Sequence, residues 1–186
     1  QMIYVQRGAS VSPREFAELL SHELINLEHK LSLRELTLEE SAQVASWRDA
    51  HQLASLGSTD YTVLGNPSKR STVVFSEKPL SLSAGPLNRN ILVVAVDDLE
   101  EITALIANQR QYLQSVGVAA SPEELFDLGE RLGQAGVTRI CALGAMTSPE
   151  AGWHHDGRFS LLDLVRMVDI DASTEREAER FTSYEV

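Results

Sequence analysis

The residues best equipped for chemistry stand together in Gly152-Trp153-His154-His155-Asp156-Gly157-Arg158. An imidazole beside a carboxylate is a pairing used for general acid–base work, and both groups ligate metals. The guanidinium of Arg158 matches a phosphate, and the indole of Trp153 offers an apolar wall. A glycine at the start and another near the end admit backbone angles that let such a loop press close to a ligand.

Four uses of this loop compete. A metal site needs a third or fourth ligand, and Asp156 is the only nearby addition to the two imidazoles. His22, His29 and His51 fall on helices far away in sequence. A hydrolase His–Asp pair needs a nucleophile, and none is recognisable. A purely structural loop would spend His155 and Asp156 on backbone hydrogen bonds. The fourth use is a loop that borders a substrate or cofactor site contributed partly by another domain.

Other chemistries lack their signatures. No Gly-x-Gly-x-x-Gly fingerprint, P-loop, Gly-x-Ser-x-Gly elbow or zinc-finger spacing occurs. The single cysteine, Cys141, sits in the apolar run Ile140 to Leu143. A reactive thiol wants exposure and a nearby cation, so Cys141 is expected to be buried and inert.

The elements that must position the loop follow from pattern. Met2 to Gln6 reads as a strand. Ser12 and Glu15 form a capping box with Pro13 at the first helical position, opening a helix with Phe16, Leu19, Leu20, Leu24 and Leu27 on one face. Thr37 and Glu40 open a second helix. Tyr61 to Leu64 and Thr72 to Phe75 predict a small antiparallel patch, and Ile91 to Val96 a buried strand. Asp97 or Asp98 caps a helix through Leu99, Ile102, Leu105 and Ile106. Tyr112 to Ala119 is a strand. Ser121 and Glu124 repeat the capping chemistry, and Gly136 ends that helix. Val137 to Leu143 is a strand, residues 144–158 a loop, Phe159 to Val168 a last helix, and residues 172–186 a polar tail, loose or docked on another subunit.

Alternating strands and helices predict an α/β fold with a mostly parallel sheet covered on both sides by helices. Ligands bind such sheets beyond the carboxyl ends of the strands, where the loop after the Val137 strand is expected to lie. The 186 residues suffice for one domain with a sizeable core. A formal net charge of -11 excludes general nucleic-acid binding and electrostatic adhesion to anionic membranes. No apolar run approaches the roughly 20 residues of a bilayer span. The lone cysteine fits a reducing cytoplasm. The chain enters a strand at once after Gln1, without a leader pattern, and is expected to begin inside a larger protein.

Several runs in order carry a resemblance. Gln111-Tyr112-Leu113-Gln114-Ser115-Val116-Gly117, Gly136-Val137-Thr138-Arg139-Ile140, Gly152 to Arg158 and Leu161-Leu162-Asp163-Leu164-Val165-Arg166 together resemble the C-terminal part of LuxC-type acyl-CoA reductases, of the aldehyde dehydrogenase superfamily. Pro86 to Ile91 is similar to that family's Pro-x-x-Arg lead-in to a strand. Gln1 to Val5 looks like the strand that follows its catalytic cysteine. The likeness is strongest from Pro86 to Val168 and weak from Leu31 to Glu77.

The resemblance implies an aldehyde dehydrogenase catalytic-domain-like fragment over residues 1–171. Such enzymes reduce acyl-CoA to a fatty aldehyde with NADPH, through a thioester on a cysteine. That cysteine is expected upstream of Gln1, and NADPH is expected on an N-terminal dinucleotide-binding domain absent here. The chain by itself is then inactive. It supplies a cleft wall from Trp153, His154, His155, Asp156, Gly157 and Arg158, with Trp153 along the acyl channel, Arg158 or Arg166 at a phosphate, and a homo-oligomer contact. No Glu-x-Phe-Gly-Pro stretch is present, so that cofactor contact does not transfer. A non-catalytic binding or assembly module and a glutamyl-phosphate reductase-like portion are the alternatives.

Overall fold

Short apolar strands and capped helices alternate through the computed structural model, which describes residues 1–65, 71–159 and 161–181. The strands are β1 (Met2–Gln6), β2 (Tyr61–Leu64), β3 (Thr72–Ser76), β4 (Asn90–Val96), β5 (Ser115–Val118) and β6 (Arg139–Ala142). The helices are α1 (Pro13–Lys30), α2 (Leu38–Gly57), α3 (Ile102–Ile106, between two 3-10 turns), α4 (Pro122–Ala135) and α5 (Ala172–Glu179). Capping boxes open α1 at Ser12, α2 at Thr37 and α4 at Ser121, and Gly136 closes α4 at φ 111°. Each cap satisfies backbone N–H groups that the helix itself cannot.

The first four strands form one sheet in the order β1-β4-β3-β2. β4 runs parallel to both β1 and β3, with Tyr4 opposite Val94 and Val74 opposite Leu92. β2 joins antiparallel to β3. The expected antiparallel patch is therefore the margin of the main sheet. All seven residues of β4 are buried. Side chains alternate between faces. Val73, Phe75, Ile91, Val93 and Ala95 meet Ala17 and Leu24 of α1, while Val74, Leu92 and Val94 meet Trp47 of α2. Each buried Val, Leu, Ile or Phe among them stabilises by about 1.5–3 kcal/mol.

The remaining strands, β5 and β6, form a separate two-stranded parallel sheet. A third cluster of Ile106, Leu128, Leu132 and Val137 packs with Val116, Val118 and Leu113 and reaches Tyr4 of the main sheet. The fold is thus α/β with mostly parallel pairing, distributed over two sheets.

Three other expectations need correction. Both late strands are shorter than their apolar patterns, because Tyr112 closes a 3-10 turn and Val137 is drawn into the α4 cluster. The expected helix from Phe159 to Val168 is one 3-10 turn at Leu162–Leu164, followed by extended backbone at Val165. Its large apolar residues stay exposed, from Leu162 at 47% to Val168 at 85%. A segment this short holds a helix only when one face is buried. Within the polar tail, read as loose or docked on another subunit, residues 172–179 form α5, which has no buried residue. Residues 182–186 lie outside the described residues.

One feature was invisible in the pattern. Leu87, Asn88 and Arg89 hold φ of 58°, 49° and 61°, a left-handed turn without a glycine. The Asn90 amide pins it, Nδ2 donating to Leu87 O at 3.0 Å and Asn88 O at 2.9 Å. Arg89 donates to Glu28 and to the Leu31 carbonyl, tying the turn to the end of α1.

Candidate functional site

The loop after β6 does not stay where the chain leaves the strand. It doubles back. Gly144 turns at φ 86°, and Arg139 then clamps the returning backbone, donating to Ala145 O at 3.0 Å and Met146 O at 2.7 Å. The loop passes over Gly117, where an added Cβ would come within 3.3 Å of the Met146 sulfur. It ends beside Gln114 and Thr138, the residues just before β5 and β6. The candidate loop therefore lies at the amino ends of this sheet, not beyond its carboxyl ends as expected. Two fixed anchors outweigh the general tendency of α/β sheets.

At this end the side chains meet. Gln114 Nε2 donates to Asp156 Oδ1 at 2.6 Å, and the other carboxylate oxygen lies 3.0 Å from His155 Nδ1. Asp156 itself holds φ 53°, an angle that Asp tolerates better than most residues. Gly157 follows at φ 71°, where a Cβ would stand 3.2 Å from the Thr138 methyl, so any other residue would be strained in backbone and crowded here. The purely structural use of this pair is corrected in part, because these side-chain bonds join the pair to each other and to Gln114 rather than to backbone.

The aromatic groups continue the site. Trp153 is half-buried, with the Arg139 guanidinium 5.4 Å above its ring and the His155 ring 4.9 Å away. Its indole Nε1 is buried without a hydrogen-bond partner among the described residues. His154 turns the other way and meets the Phe159 ring edge-on at 4.8 Å. Adjacent imidazoles pointing apart cannot share a metal ion. Among the described residues, no group of three His, Cys, Asp or Glu side chains is placed to hold one. Beside the loop runs a trough of about 460 Å³ lined by Trp153, His154, Phe159, Leu161, Leu162 and Val165.

The other candidates are placed as follows. Arg166 is exposed on the extended stretch after Leu164; Arg158 follows Gly157 on the exposed surface of the loop. Cys141 is half-buried rather than buried, because β6 exposes alternate residues, and its Sγ lies 3.4 Å from Val116 O. Sequence reading missed two working residues, Gln114 and Arg139. Both stood inside the quoted runs, but nothing in their spacing showed that they reach residues 42 and 7 positions onward. A second cleft, of about 390 Å³, lies between α2 and β2 with Arg48, Gln52, Tyr61 and Thr72 in its wall. No described helix is long and apolar enough to cross a membrane.

Fold and site together define an α/β protein whose loop after β6 sets a hydrogen-bonded His–Asp pair beside an apolar trough. The chain belongs to the acyl-CoA reductase (LuxC) family, whose pattern it matches over residues 1–167. No curated protein matches the chain. The family match relates it to oxidoreductases that act on acyl-CoA, and it includes the region between Leu31 and Glu77 where the motifs were weakest.

Proposed function

We propose that this chain forms one wall of the acyl site in a reductase that converts acyl-CoA to aldehyde through a cysteine thioester. The cysteine lies outside these residues, and the chain alone turns nothing over. The observation that carries this reading is the trough of Trp153, Phe159, Leu161, Leu162 and Val165, an apolar groove that ends at a polar loop. An acyl tail would bury apolar surface there while its thioester faces the imidazoles. Arg158, which follows Gly157 on the same loop, would serve as a partner for a CoA phosphate.

NADPH as reductant belongs to the same reading, and the described residues do not fit it. The groove at the carboxyl ends of β1 and β4 is walled by Asp98, Glu100, Glu124 and Asp127, and its Arg131 is paired with Glu100 at 2.5 Å. Carboxylates repel a pyrophosphate, which supports placing the nicotinamide on another domain.

A second reading rests on the exposed strip from Leu161 to Ile170. Apolar surface of that extent on a soluble chain marks a contact, here between copies in a homo-oligomer.

Tryptophan fluorescence tests the first reading. In a Trp47→Phe background, long-chain acyl-CoA should shift Trp153 emission with a saturable curve, and free CoA should not. An unchanged spectrum at millimolar acyl-CoA would count against the trough. Sedimentation at increasing concentration tests the second.

A further inference from the structure

We propose that His155 is the general acid–base of the acyl-transfer step, with Asp156 and Gln114 as its positioning residues; this rests on the acyl-CoA reductase reading. The carboxylate of Asp156 uses one oxygen for Gln114 and turns the other to His155 Nδ1. A carboxylate accepts hydrogen bonds and does not donate them, so Nδ1 carries a proton, which in the neutral ring leaves the lone pair on Nε2. Among the described residues no protein group bonds Nε2, and the His155 side chain is 65% exposed. A polar contact this exposed contributes little to stability. Stability alone therefore does not explain why a left-handed Asp156 and a cross-loop amide hold this imidazole. The ring packs on Trp153, which lines the trough, and that contact sets the imidazole against the trough's wall. The charged groups around it are Asp156 in contact, Arg139 across the Trp153 ring, and Arg158 three residues on.

The step balances with two thiols. Nε2 takes the proton from the cysteine thiol as that sulfur bonds to the acyl carbonyl carbon. The tetrahedral adduct collapses, and the carbon–sulfur bond to CoA breaks with its electron pair on the CoA sulfur. Nε2–H returns the proton to that thiolate. One acyl group and one proton have exchanged between thiols, and the imidazole is unchanged.

The test is CoA release from acyl-CoA by the full-length enzyme without reductant, followed as free thiol across pH. His155→Gln should slow acylation about 10²–10³-fold and abolish the pH dependence of its acidic limb. Asp156→Asn should slow it about 10-fold or more and move that limb, and Gln114→Ala less. Added imidazole should partly rescue His155→Ala, which a structural role would not allow. Acylation by His155→Gln within threefold of an active wild type would overturn the proposal and leave the reductase reading standing. No CoA release by the wild type from any acyl-CoA would instead defeat both. Nitrogen NMR of the present chain supplies a readout independent of those variants folding: His155 should show the Nδ1–H tautomer and lose it in Asp156→Asn. The Nε2–H tautomer in the wild type would overturn the assignment.

Discussion

Arg89 and Glu28 form an ion pair across 61 residues, joining the left-handed turn before β4 to the last turns of α1. Both side chains are largely withdrawn from water, at 15% and 26% exposure. Removing Arg89 leaves the Glu28 carboxylate with the Leu33 N–H, and removing Glu28 leaves Arg89 with the Leu31 carbonyl, so each loses its charged partner. Arg89→Ala or Glu28→Gln should each cost about 2 kcal/mol. That lowers the melting temperature by about 4–8 °C for a chain of this size. The double variant should lose less than the sum of the singles, a non-additivity that urea unfolding would resolve.

The same turn offers a gain. Leu87 holds φ 58° while its side chain is 61% exposed, so strain outweighs packing there. Leu87→Asn, with a residue that tolerates the left-handed region, should stabilise by roughly 0.5–1 kcal/mol. Leu87→Val should destabilise by at least as much. Thermal unfolding of the pair would show opposite signs.

Acid should weaken α2 before it weakens the sheet. Glu40 is held at about 2, chiefly by the side-chain hydrogen bond from Arg34 and then by the Thr37 backbone. Its folded value is below the unfolded one, so its contribution is present above about pH 4.5 and fades as pH falls toward 2. Glu124 shifts in the same direction through the Ser121 backbone N–H. In urea unfolding, Glu40→Gln should differ from the wild type at pH 6 and approach it at pH 2.5.

Alkali should act through Tyr4. Burial pushes its phenol up to about 12, and the hydroxyl donates to Leu80 O at 3.1 Å. A raised value means that stability holds below about pH 10 and drains away as pH climbs toward 12. Tyr4→Phe should cost about 1 kcal/mol at pH 7 by orphaning that carbonyl, and should flatten the alkaline limb. Absorbance titration of phenolate would locate the late-ionising tyrosine.

The helices were legible because their caps are chemical. Ser12, Thr37 and Ser121 each stand three residues before a glutamate, and the helix starts fall there. The apolar run in β4 likewise announced a strand buried on both faces. The segment from Phe159 to Val168 misled because spacing reports amphipathicity and not the presence of a surface to pack on. The loop was legible in composition but not in place. Its position depends on Gln114 and Arg139, whose contacts span the β5–β6 sheet, and local pattern holds no information about such pairings. The left-handed turn was hidden for a similar reason, since Leu, Asn and Arg give no glycine signal.

The doubled-back path of the loop after β6 has an evolutionary consequence. Its returning backbone is fastened by Arg139 just past the Gly144 turn and by Gln114 at Asp156, while residues 147–151 between them are exposed. Those five positions form a slack span between two rivets. Insertions or deletions there can reshape the rim above the imidazole while its orientation stays constant, so relatives can diversify what they admit without rebuilding what they do.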